Sequence, residues 1–345
     1  MAEQLYNKKS KEELKKILDD EPFKRATLSF YKYTPINNLD IFRDKLYSDL
    51  TKLSVLGRIY IANEGINAQI SVPKDNKKML RDYINSIDFL DDIQVKEAIE
   101  DGKSFYKLVI KIKNEIVAYG MDDNEYNMKK VGKHLSPKDF NKALENPNTI
   151  IVDIRNHYES EVGRFEDAII PDVDRSQDLL PKIKEMLNGK ENEKVLLYCT
   201  GGIRCEKASS YLIKNNFKDI NQLNGGVINY AHDVKNEKIE SKFIGKNFVF
   251  DNRLGERITS EIISTCHQCN EKSDSHVNCA NDLCHLLFIQ CEKCKSNFSG
   301  CCSKECMDYL NLDSENKEIK KKEFLKFNKR RHGGRVKPKL YEILN

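Results

Sequence analysis

The sequence predicts a multidomain chain of mixed α+β and α/β architecture that ends in a small cysteine-rich, metal-binding module. Three observations carry that prediction. Strand-like and helix-like periods alternate from Arg25 onward, first in a βαββαβ order and then as a regular strand–helix succession. Nine of the eleven cysteines fall between residues 266 and 306, and none lies in the first 198. At 345 residues the chain is long for one domain and suits about two or three.

Residues 1 to 20 read as a polar helix, and Arg25 to Tyr33 alternates with period two, as a strand does. Asn38 to Leu53 has helical spacing at Leu39, Phe42, Leu46 and Leu50, and Leu56 to Val72 reads as two strands broken at Asn63-Glu64-Gly65. A helix from Lys77 to Ile87 follows Pro73, and Ile93 to Lys96 with Phe105 to Val117 supply further strands. Two helices on one face of an antiparallel sheet make a ferredoxin-like domain, expected over residues 1–121 with its N-terminal helix. From 131 to 236 come a helix start at Ser136-Pro137-Lys138-Asp139, a strand from Thr149 to Ile154, a helix near Asp178 to Leu187 and a strand from Val195 to Cys199. That succession predicts an α/β domain with a parallel sheet. Phe248 to Asp251 is expected as a strand leading into a cysteine-rich module over 245–312, with a basic tail over 313–345.

The chemistry concentrates at Cys199-Thr200-Gly201-Gly202-Ile203-Arg204-Cys205, which follows the apolar run Val195 to Tyr198 and precedes Glu206 to Leu212. Strand, glycine-containing loop and helix start aim several backbone N–H groups at one spot, where the helix dipole favours negative charge. Arg204 adds a fixed positive charge, and such neighbours lower a thiol pKa from about 8.5 by roughly 1 to 5 units. Cys199 is therefore the expected nucleophile and Arg204 its partner. The competing account makes Cys199 a small hydrophobe ending a buried strand. The loop resembles the active loop of rhodanese-type domains, with the cysteine at the strand end and four residues between it and the arginine. Dual-specificity phosphatases carry a loop one residue longer and usually a histidine before the cysteine, where Tyr198 stands here. Asp153-Ile154-Arg155, Glu159 and Asn224-Gly225-Gly226-Val227 also resemble rhodanese landmarks; Asp153 and Arg155 are expected to hold loops by charge-assisted hydrogen bonds.

Cys266-x2-Cys269 and Cys291-x2-Cys294 each offer two thiolates from one turn, the pairing that tetrahedral zinc uses. Cys279 and Cys284 lie between them, and Cys301, Cys302 and Cys306 after them, enough for a second site whose alternating use of pairs would cross-link the segment. One of the adjacent Cys301 and Cys302 is expected to be spare, since neighbours rarely share a tetrahedral centre. The expected ligands are Cys266, Cys269, Cys279, Cys284, Cys291, Cys294, Cys301 and Cys306, holding two structural zinc ions. Iron–sulfur is the other occupant that sulfur-rich sites select; His267, His276 and His285 could each replace a cysteine, but with nine cysteines for eight places they are expected to be bystanders.

Residues 317 to 339 hold eleven Lys or Arg against Glu318 and Glu323, so the net charge of +4 divides into +9 there and −5 elsewhere. Phe324 and Phe327 interleave that charge, and the tail is expected to meet a polyanion such as RNA, a solvated tail being the alternative. The first ten residues have no apolar core, and no stretch approaches the roughly 20 apolar residues of a membrane span. A cytoplasmic protein is expected, with no membrane partner.

Taken with Asn63-Glu64-Gly65-Ile66-Asn67 and Cys301-Cys302-Ser303-x2-Cys306, the motif Tyr198 to Lys207 makes the chain similar, over nearly its whole length, to the bacterial oxygen-dependent tRNA uridine hydroxylases. That resemblance implies oxidation of the wobble uridine of tRNA to 5-hydroxyuridine, with tRNA as partner and molecular oxygen as co-substrate. Oxygen chemistry ordinarily uses a flavin, haem, iron or copper. The sequence has no dinucleotide fingerprint, its seven histidines form no facial triad, and it names no redox group. From the residues alone two other readings stand. One is a sulfurtransferase with a persulfide on Cys199 that Cys205 could resolve; the other is a zinc-dependent RNA-binding or redox-sensing module without catalysis.

Overall fold

Short-range sequence signals set most of the first domain. In the computed structural model of the chain, residues 5–122, 124–173 and 175–327 are described; the last eighteen residues of the expected basic tail, 328–345, lie outside the described residues. The described residues form two compact units. One is drawn from Met1–Arg155, Asp167–Ser241 and Val249–Glu256, the other from Asn156–Glu166, Lys242–Phe248 and Arg257–Asn345.

The first unit begins with α1 (Lys11–Asp19), shorter than the helix expected over 1 to 20 because Ser10 and Glu13 close a capping box that starts it there. Then follow β1 (Arg25–Tyr33), α2 (Leu39–Lys52), β2 (Leu56–Ala62), β3 (Gly65–Pro73), α3 (Lys77–Asn85), β4 (Lys96–Glu97) and β5 (Leu108–Ile112). The sheet order is β4-β1-β3-β2-β5. Its first four strands give the ferredoxin-like arrangement, and β5 extends it parallel to β2. β4 is only two residues long, because it pairs with β1 at Leu28 and Ser29 alone. Ile59, Ile61, Ile66, Ala68, Ile70 and Val72 are buried under Leu46 and Leu50 of α2 and Leu80 and Ile84 of α3. Gly65 must be glycine in the β2–β3 turn: its φ is +150°, and a Cβ would stand 2.1 Å from the Lys32 carbonyl oxygen.

The same unit contains the α/β domain, built from β6 (Lys133–Leu135), α4 (Pro137–Leu144), β7 (Ile150–Asp153), α6 (Ser176–Met186), β9 (Lys194–Tyr198), α7 (Ile203–Lys214), β10 (Asp219–Leu223) and α8 (Gly226–Lys235). Its four strands run parallel in the order β6-β10-β9-β7. Val195, Leu196, Leu197 and Tyr198 are all fully buried, as a strand covered on both faces requires. Lys207 of α7, itself without exposed side-chain surface, ties this domain to the first: its ammonium lies 2.8 Å from Glu64 and 2.7 Å from Glu115.

The second unit takes a piece from the middle of the chain. α5 (His157–Val162) and β8 (Gly163–Phe165) leave the parallel sheet after Arg155, and β8 pairs antiparallel with β11 (Phe243–Asn247). The strand expected at Phe248–Asp251 thus lies earlier, because Phe243, Gly245 and Asn247 alternate inward against β8. After the short β12 (Glu256–Arg257) come the hairpin β13 (His276–Asn278) and β14 (Leu287–Ile289), then α9 (Glu292–Asn297), α10 (Lys304–Leu310) and α11 (Ser314–Phe327). Among the described residues no helix is long and apolar enough to cross a membrane.

Replacing Lys207 with Met leaves Glu64 and Glu115 facing each other without a cation. The expected loss is about 3 kcal/mol of unfolding free energy, measured by urea denaturation, with partial recovery when both glutamates become glutamine. A loss under about 1 kcal/mol would show this ion cluster to be peripheral.

Candidate active site and metal centres

The cysteine loop is anchored from below by a fully buried charge pair. Arg155 grips Asp153 through Nε at 2.9 Å and Nη2 at 2.7 Å, and the Tyr198 hydroxyl donates to the same carboxylate at 2.6 Å. Asp153 and Arg155 therefore hold the strand ends, and Tyr198, where a phosphatase would carry histidine, points into that pair.

Beyond Tyr198 the chain turns through Thr200, Gly201 and Gly202, and α7 begins at Ile203. Gly202 sits at φ +98°, and its N–H donates to the Cys199 sulfur at 3.1 Å. Burial alone would raise the Cys199 pKa. The Cys205 thiol, the Arg204 charge and the N–H groups of Cys205 and Arg204 outweigh it, and Cys199 is pulled down to about 6. Burial and the Cys199 charge push the Cys205 thiol well above the ordinary thiol range. The two cysteines therefore divide one role: Cys199 takes the negative charge and Cys205 stays protonated to donate to it. Arg204 also donates to the Thr200 hydroxyl at 3.1 Å and lies 5.8 Å from the Phe250 ring centroid.

The start of α8 forms a second wall. Val227 and Ile228 donate their N–H groups to the carbonyls of Cys199 and Thr200 at 3.0 and 3.1 Å. Gly226, at φ +69°, lies so close that a Cβ would stand 2.5 Å from the Cys199 oxygen. The first domain forms a third wall, from residues far from the loop in the chain. Lys96 of β4 donates to the Gly201 carbonyl at 2.9 Å, Tyr33 to the Ile203 carbonyl at 3.3 Å, and Tyr31 to Glu206 at 3.1 Å. Glu206 also accepts from Gln222 at 3.0 Å and pairs with His134 at 2.9 Å. Cys199 is fully buried, while Thr200, Gly201, Ile203 and Arg204 are half-buried and form the reachable rim of the loop.

The cysteine-rich segment makes two four-sulfur groups, Cys266, Cys269, Cys291 and Cys294 in one and Cys279, Cys284, Cys302 and Cys306 in the other, all sulfurs of a group within 4.8 Å of one another. Within them Cys269–Cys291 is 3.6 Å and Cys284–Cys302 and Cys302–Cys306 are 3.7 Å. A disulfide would be far shorter, at about 2.05 Å. The separations match the edge of a tetrahedron with metal–sulfur bonds of about 2.3 Å, roughly 3.8 Å. The donor set fits a closed metal site with no open position.

The second sulfur group contains Cys302 and leaves out Cys301, the one expected from the sequence as a ligand. Ser303 caps α10, so Cys302 just before the cap and Cys306 on the first turn bring their sulfurs together. Cys301 is one residue further out, and its carbonyl is held by Gln268 and Gln290 at 3.1 Å each. His267 has both ring nitrogens engaged, with Glu161 at 2.6 Å and the Ile289 N–H at 3.3 Å, and His276 and His285 also lie outside the sulfur groups.

Gly226→Ala tests the fit of the second wall. The variant is expected to lose at least about 1 kcal/mol of stability and to slow alkylation of Cys199, because the new methyl group displaces the Cys199 and Thr200 carbonyls. Unchanged melting and unchanged alkylation would mean that α8 does not shape the loop.

Three family models match successive segments of the chain. Residues 25–116 match the family described as a UPF0176 acylphosphatase like domain, 136–233 the Rhodanese-like domain and 244–307 the Rhodanase C-terminal family. A protein of Leptospira interrogans named tRNA uridine(34) hydroxylase is 51% identical over 340 residues, 98% of this chain and 93% of that one. Proteins of the same name from Photorhabdus laumondii, 47% identical over 310 residues, and Pectobacterium carotovorum, 48% over 313, are matched across 89% and 90% of this chain and 88% of each of theirs. The chain belongs to the tRNA uridine(34) hydroxylase family.

Proposed function

We propose that this chain hydroxylates the wobble uridine, position 34 of tRNA, to 5-hydroxyuridine, with Cys199 as the reacting thiolate and Arg204 holding its charge. The observation that carries the reading is a buried Cys199 sulfur that accepts the Gly202 N–H at 3.1 Å at the start of α7, in a chain about half identical to proteins of that name. Uracil is electrophilic at C6, and a thiolate adding there moves an electron pair to C5, where the new C–O bond must form. Release of the thiolate with loss of the C5 proton restores the ring and frees Cys199. Molecular oxygen is the co-substrate in this reading: one atom ends on C5, the other in water, and a separate donor supplies two electrons. Sulfur transfer through a Cys199 persulfide is the competing outcome, since the Cys205 thiol contacts the same sulfur.

The partner is tRNA, met in part by the basic segment 317–339, and the protein acts in the cytoplasm. Zinc occupies both sulfur groups, Cys266, Cys269, Cys291 and Cys294 in one and Cys279, Cys284, Cys302 and Cys306 in the other. Its contribution there is structural, because four-thiolate sites bind no water and add folding free energy directly.

Mass spectrometry of tRNA nucleosides tests the reaction. Cells carrying Cys199→Ser are expected to lack 5-hydroxyuridine, and a thiolated nucleoside disappearing instead would establish sulfur transfer. The thiolate is the reactive form, so the wild-type rate should be full above the Cys199 pKa and fall about tenfold per unit once the pH drops below about 6. A rate that is flat through that region would remove Cys199 from the chemistry.

Elemental analysis is expected to find about two zinc ions per chain. Cys302→Ser should lose one of them, whereas Cys301→Ser should keep both. The reverse pattern would return Cys301 to the ligand set.

A further inference from the structure

Two lysines are buried in the first unit, and they are partnered differently. Lys207 faces two carboxylates. Lys96 is 6% exposed, and among the described residues no carboxylate pairs with it. Its ammonium meets the Gly201 carbonyl at 2.9 Å and stands 4.6 Å from the Tyr31 ring centroid. A buried cation without a counter-ion is costly, so its position calls for an anion close by. Glu206 is already engaged by His134, Gln222 and Tyr31. The other anion whose charge acts on Lys96 is the Cys199 thiolate.

The Gly201 carbonyl and the Gly202 N–H belong to one peptide group. Its oxygen is taken by Lys96 at 2.9 Å, and its N–H donates to the Cys199 sulfur at 3.1 Å. Two adjacent glycines leave that peptide free to rotate, and a flip would turn the carbonyl oxygen toward the thiolate. A cation on the carbonyl opposes the flip and polarises the N–H at the other end.

Resting on the reading of Cys199 as the nucleophile, we propose that Lys96 is a positioning residue of the reaction: it clamps the Gly201–Gly202 peptide so that its N–H points at the Cys199 sulfur, and its positive charge at the carbonyl end of that peptide favours the thiolate at the N–H end. The active centre is thus completed by the acylphosphatase-like domain. The charged and titratable groups around Cys199 are Arg204, Cys205 and Glu206 on α7, Lys96 on β4, Tyr31 on β1 and His134 behind Glu206. Burial pulls Lys96 down to about 8, with the Cys199 and Glu206 charges opposing, so the ammonium and the thiolate coexist between about pH 6 and 8. Burial holds Tyr31 far above its ordinary range, and it stays neutral there.

The test follows iodoacetamide labelling of the Cys199 peptide against pH in the full zinc-loaded chain, by mass spectrometry, with no tRNA present. Lys96→Met is expected to raise the labelling midpoint by about one pH unit, which is about tenfold slower labelling below it. Lys96→Arg, which keeps the charge and a donor, should restore most of the shift. A role confined to packing would lower the melting temperature of both variants and leave the midpoint in place, and an unmoved midpoint in folded Lys96→Met overturns the proposal. If Lys96→Met does not fold, Lys96→Gln keeps a donor for the carbonyl without the charge; a raised midpoint supports the proposal and an unchanged one overturns it. A wild-type midpoint in the ordinary thiol range strikes the reading of Cys199 itself, whereas a low wild-type midpoint with unmoved variants strikes Lys96 alone.

Discussion

A sulfur with no exposed surface must carry negative charge, and the surroundings of the loop answer that requirement. Burial acts against the thiolate, so donors and positive charge have to be supplied at fixed positions. The N–H of Gly202, the Cys205 thiol and the Arg204 guanidinium come from the loop and the first turn of α7. They hold position only because the strand beneath them cannot shift. The Asp153–Arg155 pair with the Tyr198 hydroxyl fixes the end of β9, and the glycine start of α8 fixes the Cys199 and Thr200 carbonyls. Each of these supports is itself buried and polar, so each is satisfied only in this one arrangement.

Ionisation of the thiol and docking of the acylphosphatase-like domain are linked through the same contacts. Lys96 and Tyr31 reach the loop from β4 and β1, and Glu64 and Glu115 reach α7 through Lys207. An interaction that favours the charged thiol must, by linkage, be strengthened by that charge. Alkylation of Cys199, or its oxidation to a disulfide, removes the anion that Lys96 favours, and the domain contact loses strength with it. Lys207 behaves differently, because its two glutamates remain whatever the state of the thiol. The first lysine senses the site, and the second holds the domains together regardless.

What could be read from the sequence follows how local each signal is. Cys199, Arg204 and the strand–loop–helix layout sit within a few consecutive residues, and the cysteine pairs are spaced by two to four residues, so spacing alone exposes them. The β1, α2, β2 and β3 boundaries are sharp because apolar period and turn residues coincide there. Lys96 is 105 residues from the carbonyl it binds and Tyr31 is 175 from Glu206, so no local pattern marks either. Cys301 and Cys302 could not be separated by composition, since the choice depends on where Ser303 starts α10. Residues 157–165 fall within the span 131–236 expected as the α/β domain, although β8 finds its partner at Phe243–Gly245.

The metal-binding segment interleaves its ligands, and that order has a folding consequence. Cys266 and Cys269 must wait for Cys291 and Cys294, with Cys279 and Cys284 in the span between them, and these in turn wait for Cys302 and Cys306. Neither group can close around an ion as a local turn, so both form together with the β13–β14 hairpin, which carries Cys279 and Cys284 between its strands. The unit also needs Asn156–Glu166, whose Glu161 takes the ring of His267 and whose β8 pairs with β11. That insertion leaves the parallel sheet immediately after the buried Asp153–Arg155 pair, and the chain returns at Ile169, which exchanges backbone bonds with Ile151 and Asp153 at 2.8 and 3.0 Å. A truncation before Lys242 would therefore strand β8 without its partner between two fixed points of the catalytic domain. The cysteine-rich unit is in this sense spliced into the strand that supports Cys199, and it cannot be removed as an independent tail.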